Sequence, residues 1–278
     1  MKSEKSIREG KMDISLPKSI YDSFADENIR LFYAPSVDST NRRARVYAEQ
    51  SVTLPEAPVL FIADEQTEGR GRQGRSFFSP ASTGLYMTLL LQAPDSTESF
   101  SCLTALTAVS AVEAIKDIFG VKPLIKWVND LYLDGKKVAG ILAESFPVGE
   151  RRYVAIGIGV NLTTATFPDE LVGKAGSIAA DADREELSAL KFALAFSLSK
   201  KLLASLDGEF LGEYMRRYKE SSCVLGKRIR FFKDGKENGG IATDITDRGA
   251  LCVELEGGET VELSTGEISI FSLDGVWR

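Results

Sequence analysis

Apolar residues recur along this chain with two periods, about two in some stretches and about 3.6 in others, and the changes between them mark its elements. Leu31, Phe32, Tyr33 and Ala34 run up to Pro35, so residues 30 to 35 predict a strand. Asp38, Ser39, Thr40 and Asn41 follow, all residue types that favour helix starts, and a helix-like run extends to about Gln50. Residues 58 to 65 and 84 to 91 are short apolar runs that predict two further strands. Between them Gln66 to Thr83 is rich in glycine and poor in apolar side chains. A loop of that length inside a compact domain usually carries function. Residues 99 to 119 predict a helix, with Leu103, Leu106, Val109, Val112 and Ile115 or Phe119 on one side and Gly120 as its stop.

Leu124 to Ser145 reads as two strand-like runs meeting at Asp134-Gly135, a two-residue hairpin signal. Residues 152 to 162 predict another strand, dense in glycine, and two helix patterns follow, from about Arg184 to Leu206 and from Glu209 to Lys219. From Gly226 onward short β runs are split by DGKENGG, DRG and EGG, the texture of a small antiparallel barrel. The boundary falls between Ser221 and Leu225. The chain then divides into an N-terminal extension (1–29), a larger domain (30–222) and a small C-terminal domain (223–278).

The 278 residues are 44% hydrophobic and 27% charged, which suits a folded chain of about two domains and excludes a disordered one. With 34 basic and 40 acidic residues the net charge is −6, so any contact with a phosphate must be local. There is no histidine. That excludes imidazole general bases, serine or cysteine triads that need one, and His-ligated zinc. Cys102, Cys223 and Cys252 lie far apart and form neither a disulfide framework nor a zinc cluster. The first residues are charged, and no run approaches the roughly 18 apolar residues a membrane helix needs, so the expected location is cytoplasmic.

Three constellations carry candidate chemistry. Gly69-Arg70-Gly71-Arg72-Gln73-Gly74-Arg75 matches the dinucleotide pattern G-x-G-x-x-G, but that reading needs a helix opening at the last glycine, and Ser76-Phe77-Phe78-Ser79-Pro80 is a poor helix start. Arginines alternating with glycines suit an anion, because turned backbone N–H groups and guanidinium forks both match phosphate or carboxylate oxygens. In the hairpin, Tyr132 is expected opposite Lys137, which puts Lys137 on one face with Asp130, Val128 and Lys126. In Gly157-Ile158-Gly159-Val160-Asn161 the glycines and Asn161 share a face and leave a flat floor, either for a ligand or for an overlying helix.

Asp38-Ser39-Thr40-Asn41, Gln66 with GRGRQGR and Ser79-Pro80, KWVND with KKVAGILAE, and GIGVN resemble, in order and spacing, the signature of biotin protein ligases from about residue 30 to the end. The resemblance implies an α+β fold: a mixed-sheet catalytic domain of the kind shared with class II aminoacyl-tRNA synthetases and lipoate ligases, and a small SH3-like C-terminal β-barrel. It implies that biotin reacts with MgATP to give biotinyl-5′-adenylate, and that a lysine of a biotin carboxyl carrier domain then takes the biotin. Carried over residue by residue, Lys137, Arg72 and Arg70 are the catalytic cations, with Lys137 bridging the biotin carboxylate and the α-phosphate. Ser39, Thr40 and Gln66 match the positions that hydrogen-bond the ureido ring, Gly140 and Gly157 a close-approach floor, and Asn41, Gly69 and Gly71 further biotin-binding positions. Arg75, Lys126, Asn129, Asp130 and Asn161, with Arg72, match nucleotide positions, and Asn161 is the candidate magnesium ligand.

Two residues depart from the family pattern: Val128 replaces a usual proline and Phe77 a usual tryptophan. Only 38 residues precede Ser39, too few for the winged helix-turn-helix of family members that repress transcription, so no operator DNA is expected as a partner. A monomer or weak homodimer without membrane contact is expected. The rival readings are a lipoate-protein ligase of the same fold, a non-catalytic biotin sensor, and a dehydrogenase using G-x-G-x-x-G. The loop from residue 66 to residue 80 is expected to order only around adenylate, since little else in it holds a conformation.

Overall fold

Seven strands, β1 (Arg30–Ala34), β2 (Val59–Ala63), β3 (Gly84–Gln92), β4 (Leu124–Lys126), β5 (Asp130–Leu133), β6 (Lys136–Val148) and β7 (Arg151–Asn161), form one mixed sheet in a computed structural model. The structure describes residues 16–51, 56–93, 100–180, 182–206, 211–233, 235–264, 266, 268–272 and 275–277. The sheet order is β1-β2-β3-β7-β6-β5-β4, with β1 parallel to β2 and every other neighbouring pair antiparallel. Alternation along the strands divides the core in two. Leu31, Leu60, Ile62, Leu85, Met87, Ile156 and Ile158 face helices α1 (Lys18–Asp26), α3 (Phe100–Phe119) and α4 (Arg184–Ser205). Phe32, Phe61, Tyr153 and Ala155 face α2 (Thr40–Gln50), whose Ala44 and Ala48 let it lie close to the sheet.

Several elements differ from their sequence expectation. Helix α1 was not anticipated; Tyr21 and Phe24 bury its inner face, and the Phe24 ring meets Phe196 of α4 edge-on at 5.3 Å. Helix α3 is buried nearly all round, Ala105, Ala108 and Ala111 as well as Leu106, Val109 and Val112, because α4 covers the side the sheet does not. The first run of the hairpin is broken. Residues 127–129 leave the strand between β4 and β5, and Val128 turns into the core, away from the Lys126–Asp130–Lys137 face on which period two put it. The turn is held from behind by Tyr218 of α5 (Leu211–Glu220), whose hydroxyl donates to the Val128 carbonyl at 3.0 Å. Asp134 (φ 49°) and Gly135 (φ 75°) make the expected two-residue turn, and Tyr132 pairs with Lys137 as anticipated.

The C-terminal strands β8 (Arg228–Lys233), β9 (Lys236–Ile245), β10 (Leu251–Leu255), β11 (Thr260–Leu263), β12 (Ile268–Ser272) and β13 (Gly275–Trp277) form an antiparallel sheet in the order β11-β10-β9-β8-β12-β13. It packs against the larger domain: the Trp127 indole N–H donates to the Gly249 carbonyl at 2.9 Å, and both domains contribute to one continuous apolar core. The beginning of the helix predicted from Glu209 to Lys219, Glu209 and Phe210, lies outside the described residues. Among the described residues no helix is long and apolar enough to cross a membrane.

Candidate active site

A cavity of about 460 Å³ opens on the α2 face of the sheet, beside the N-terminus of that helix. All the candidate residues line it except Gly69 and Asn161. Four segments remote in sequence therefore converge on one space, and the physical cause is register. Asp130 pairs with Gly140, Gly140 with Gly159, and Leu142 with Gly157, so the polar hairpin face and the glycine face of β7 are one continuous surface.

At one end of the cavity the groups are neutral and tied to one another. Gln66 Oε1 accepts from the Thr40 backbone N–H at 2.9 Å and the Thr40 hydroxyl at 3.1 Å, while Gln66 Nε2 donates to Ser79 Oγ at 3.0 Å. The first amide of α2, that of Thr40, is thus satisfied by Gln66, and Ser39 makes no side-chain cap. The Thr88 hydroxyl lies within hydrogen-bonding distance of both Thr40 Oγ1, at 2.8 Å, and Asn41 Oδ1, at 2.6 Å. Asn41 Nδ2 donates to the Leu142 carbonyl and to Glu144 Oε2. Glu144, which sequence reasoning missed, also pairs with Arg70 at 3.4 Å, so it sets the position of an arginine from outside the cavity lining.

The other end is cationic. Arg70, Arg72, Arg75, Lys126, Lys137 and Lys174 line the cavity against two acids, Asp130 and Glu170. Lys137 Nζ lies 2.7 Å from Asp130 Oδ1, and Lys126 Nζ sits 5.3 Å from the centre of the Tyr132 ring. Arg72 reaches the Asn129 amide oxygen at 3.2 Å, while the amide nitrogen of Asn129 donates to the Ile141 carbonyl at 3.0 Å. Burial, with the Asp130 charge acting in the same direction, raises the Tyr132 phenol well above its ordinary range, so it stays a neutral wall.

The loop from Gln66 to Thr83 carries hydrogen bonds of its own. Arg70 and Ser76 form a β-bridge, Gly71 N–H donates to the Arg75 carbonyl at 2.7 Å, Phe77 N–H to the Gly69 carbonyl at 2.8 Å, and the Tyr86 hydroxyl to the Pro80 carbonyl at 3.0 Å. Arg72–Gly74 is only a short 3-10 turn, and no helix opens at Gly74. The dinucleotide reading therefore has no structural support.

One glycine assignment changes, and two glycines that line the cavity are partly covered. A Cβ on Gly69 would lie 2.3 Å from the Phe77 carbonyl oxygen, so this glycine lets the loop close on itself and does not face the cavity. At Gly157 a Cβ would lie 2.2 Å from Asn41 Oδ1, and at Gly159 it would lie 2.4 Å from the Phe77 ring. The floor is therefore partly covered by α2 and by Phe77, the aromatic wall anticipated from the sequence. Asn161 stands off the cavity because its amide is turned away, donating to the Gly176 carbonyl at 3.1 Å. Sequence reasoning also missed Glu170, Leu171, Lys174 and Ala175, which come from an aperiodic segment, and Gly266, Ile268 and Ser269, which come from the other domain.

Two family models match the chain: "Biotin/lipoate A/B protein ligase family" over residues 33–161 and "Biotin protein ligase C terminal domain" over residues 224–270. The biotin–[acetyl-CoA-carboxylase] ligase of Paracoccus denitrificans is 32% identical over 236 residues, 78% of this chain and 95% of that protein. The chain belongs to the biotin protein ligase family. Another relative of this biotin protein ligase is the bifunctional ligase/repressor BirA of Escherichia coli, 28% identical over 80% of this chain and 68% of that one. The biotin protein ligase of Aquifex aeolicus, solved in complex with biotin and ATP, superposes with a TM-score of 0.69 at 28% identity, covering 87% of this chain and 98% of that one. Its fold is thus α+β, a mixed-sheet domain followed by an antiparallel C-terminal one, and biotin ligation is the chemistry the cavity has to explain.

Proposed function

We propose that this chain adenylates biotin with ATP and transfers the biotinyl group to a lysine of a biotin carboxyl carrier domain. The observation that carries this reading is a single cavity whose neutral, hydrogen-bonding end (Ser39, Thr40, Asn41, Gln66) adjoins a cluster of fixed cations (Arg72, Lys137, Lys126). In the first step a biotin carboxylate oxygen attacks the α-phosphorus and pyrophosphate leaves. The obstacle is repulsion between two anions, and Arg72 and Lys137, already held by Asn129 and Asp130, offset it without reorganising. In the second step the carrier lysine attacks the acyl carbon and AMP leaves. The first end suits a ureido group, a polar group costly to bury unless it is hydrogen-bonded. Arg70, Arg75 and Gly71 serve as the loop's contribution, and Gly140 lets ligand approach the backbone beside Lys137.

The donor set does not form a metal cage: among the described residues no group of three carboxylates or cysteines could hold a metal ion, and Asp130, one of the two carboxylates that line the cavity, is paired with Lys137. Magnesium enters this reading bound to the oxygens of ATP and to water, with no step assigned to it. We divide the chain for this work into residues 30–222 as the catalytic body and 223–278 as the domain that closes the cavity with Gly266, Ile268 and Ser269. The net charge of −6 supports a partner other than operator DNA.

The test is incubation of the chain with labelled biotin, MgATP and a carrier domain. Covalent label on the carrier lysine is expected. Pyrophosphate release stimulated by lipoate and not by biotin would replace this reading with the lipoate one. Biotin binding without adenylate would replace it with a sensor. Lys137→Ala is expected to lower adenylate formation by about a hundredfold to a thousandfold, the loss of one preorganised charge-stabilising group, with the melting temperature unchanged within a few degrees. Normal turnover in that variant would defeat the site.

A further inference from the structure

The hydrogen bonds at the neutral end of the cavity form one chain, and its two ends fix the direction of the protons along it. At one end the Phe77 carbonyl accepts from Ser79 Oγ at 2.9 Å. Ser79 has then given away its only proton and receives the Gln66 amide nitrogen at 3.0 Å, which turns Gln66 Oε1 towards Thr40. At the other end Asn41 Nδ2 has two acceptors, the Leu142 carbonyl at 3.2 Å and Glu144 Oε2 at 2.9 Å. The oxygen of that amide is therefore the atom 2.6 Å from the Thr88 hydroxyl.

The two runs meet at Thr40. Three contacts there share two hydroxyl protons: Thr40 Oγ1 to Gln66 Oε1 at 3.1 Å, Thr40 Oγ1 to Thr88 Oγ1 at 2.8 Å, and Thr88 Oγ1 to Asn41 Oδ1 at 2.6 Å. Asn41 is 5% exposed and its Oδ1 has no other donor among the described residues, so the Thr88 proton belongs there. Thr88 Oγ1 is then an acceptor only. The single Thr40 hydroxyl proton has two oxygens open to it, Gln66 Oε1, which already holds the Thr40 backbone N–H at 2.9 Å, and Thr88 Oγ1. Thr88 is fully buried in β3, opposite Gly157, and does not line the cavity, whereas Thr40 and Gln66 do.

Resting on the biotin reading above, we propose that Thr88 is a positioning residue that makes this end specific for a ring N–H. The Thr40 proton serves Gln66 Oε1 until a ligand N–H takes that oxygen, and it then turns to Thr88. Gln66 Oε1 and Thr40 Oγ1 now both offer lone pairs to the ligand. No bond is made or broken; one hydroxyl rotates. Each ureido nitrogen of biotin carries such an N–H, and the dithiolane ring of lipoate carries none. Thr88 touches no ligand: it supplies the oxygen that lets Thr40 change direction, and it holds the Asn41 amide in place.

The test is calorimetric binding to the full chain of biotin and of its two cyclic carbamates, in which oxygen replaces one ureido N–H or the other. The unsubstituted chain is expected to bind biotin at least about tenfold tighter than one of the carbamates, because an oxygen placed there faces only acceptors. Thr88→Val keeps the shape and removes the hydroxyl. In that variant biotin affinity is expected to fall about fivefold to tenfold and the preference over the carbamate to shrink below about threefold, while the KM for ATP in pyrophosphate release changes less than about twofold. Thr88→Ser keeps the hydroxyl and is expected to restore both affinity and preference. If valine prevents folding, Thr88→Cys takes its place, since a thiol is a weak acceptor, and its preference for biotin is expected to drop at least about threefold. An unchanged preference in the valine or cysteine chain, equal losses for biotin and ATP, a serine variant as weak as the valine one, or an unsubstituted chain that prefers biotin to neither carbamate would each overturn the proposal. A chain that shows the expected binding pattern and makes no adenylate would defeat the adenylation reading and leave the role of Thr88 standing; one that binds no biotin would defeat both.

Discussion

Gly159 shows how much at this site depends on single atoms. The Phe77 ring lies against its backbone, and an added methyl would stand 2.4 Å from Cε1 of that ring. Gly159→Ala is therefore expected to push Phe77 out of the cavity and weaken biotin binding severalfold, because the methyl takes the place of the ring. Calorimetric titration with biotin checks it, and wild-type affinity in the alanine variant would show that Phe77 is not a wall of the site. Cys223 is a second case at the same scale. Burial pushes its thiol up to about 11, Lys126 opposing the shift only in part, so the thiolate is scarce at neutral pH. An alkylating reagent at pH 8 is expected to leave Cys223 unmodified in the folded chain and to modify it once the chain is unfolded in urea, as peptide mass spectrometry would report.

At the scale of elements, the hairpin was legible and its neighbours were not. Asp134-Gly135 announces a turn because few residues accept positive φ twice in succession, and that local chemistry fixes the pairing of Tyr132 with Lys137. The break at residues 127–129 has no such signal, since Val128 is as suited to a strand as to the core it enters. Helix α1 shows the same limit. Its apolar residues are too few to predict a helix alone, and it exists because Tyr21 and Phe24 find α4 and the sheet. Phe24→Ala is expected to destabilise the chain by about 3 to 5 kcal/mol, the cost of emptying a fully buried aromatic site. Urea unfolding measures this, and a loss below about 1 kcal/mol would mean that α1 is not part of the catalytic core.

For the whole molecule, the absence of histidine and the burial of phenols and thiols together set the pH response. No side chain with an ordinary pKa near neutrality is present, so stability is expected to be flat between about pH 6 and 8. On the alkaline side burial raises Tyr86 from 10.0 to about 12 and Cys223 from 9.0 to about 11, and it raises Tyr132 and Tyr218 further. Each raised group favours folding with its proton on. That contribution is complete below the unfolded pKa and is lost as pH climbs through the folded one, so the melting temperature is expected to fall steeply from about pH 9 to pH 12. A flat thermal profile across that range would show that these groups are solvated. Charge also separates by location: the chain is net −6, yet six cations face two acids around the cavity, so an anion is drawn to the cavity on an otherwise repelling surface.

What the sequence determined by itself is the set of local decisions: short apolar runs marked the strands, Asp134-Gly135 the hairpin, glycine between arginines an anion loop, and the missing histidine a chemistry built on fixed cations. Each depends only on neighbours in the chain. Tertiary structure alone decided which residues meet. It turned Gly69 and Asn161 away from the cavity, brought Lys174 and Gly176 to Lys137, set Glu144 behind Arg70, and carried Gly266 across from the other domain. Those contacts join residues far apart in sequence through pairing register and packing, and no local period or propensity encodes a register between distant strands.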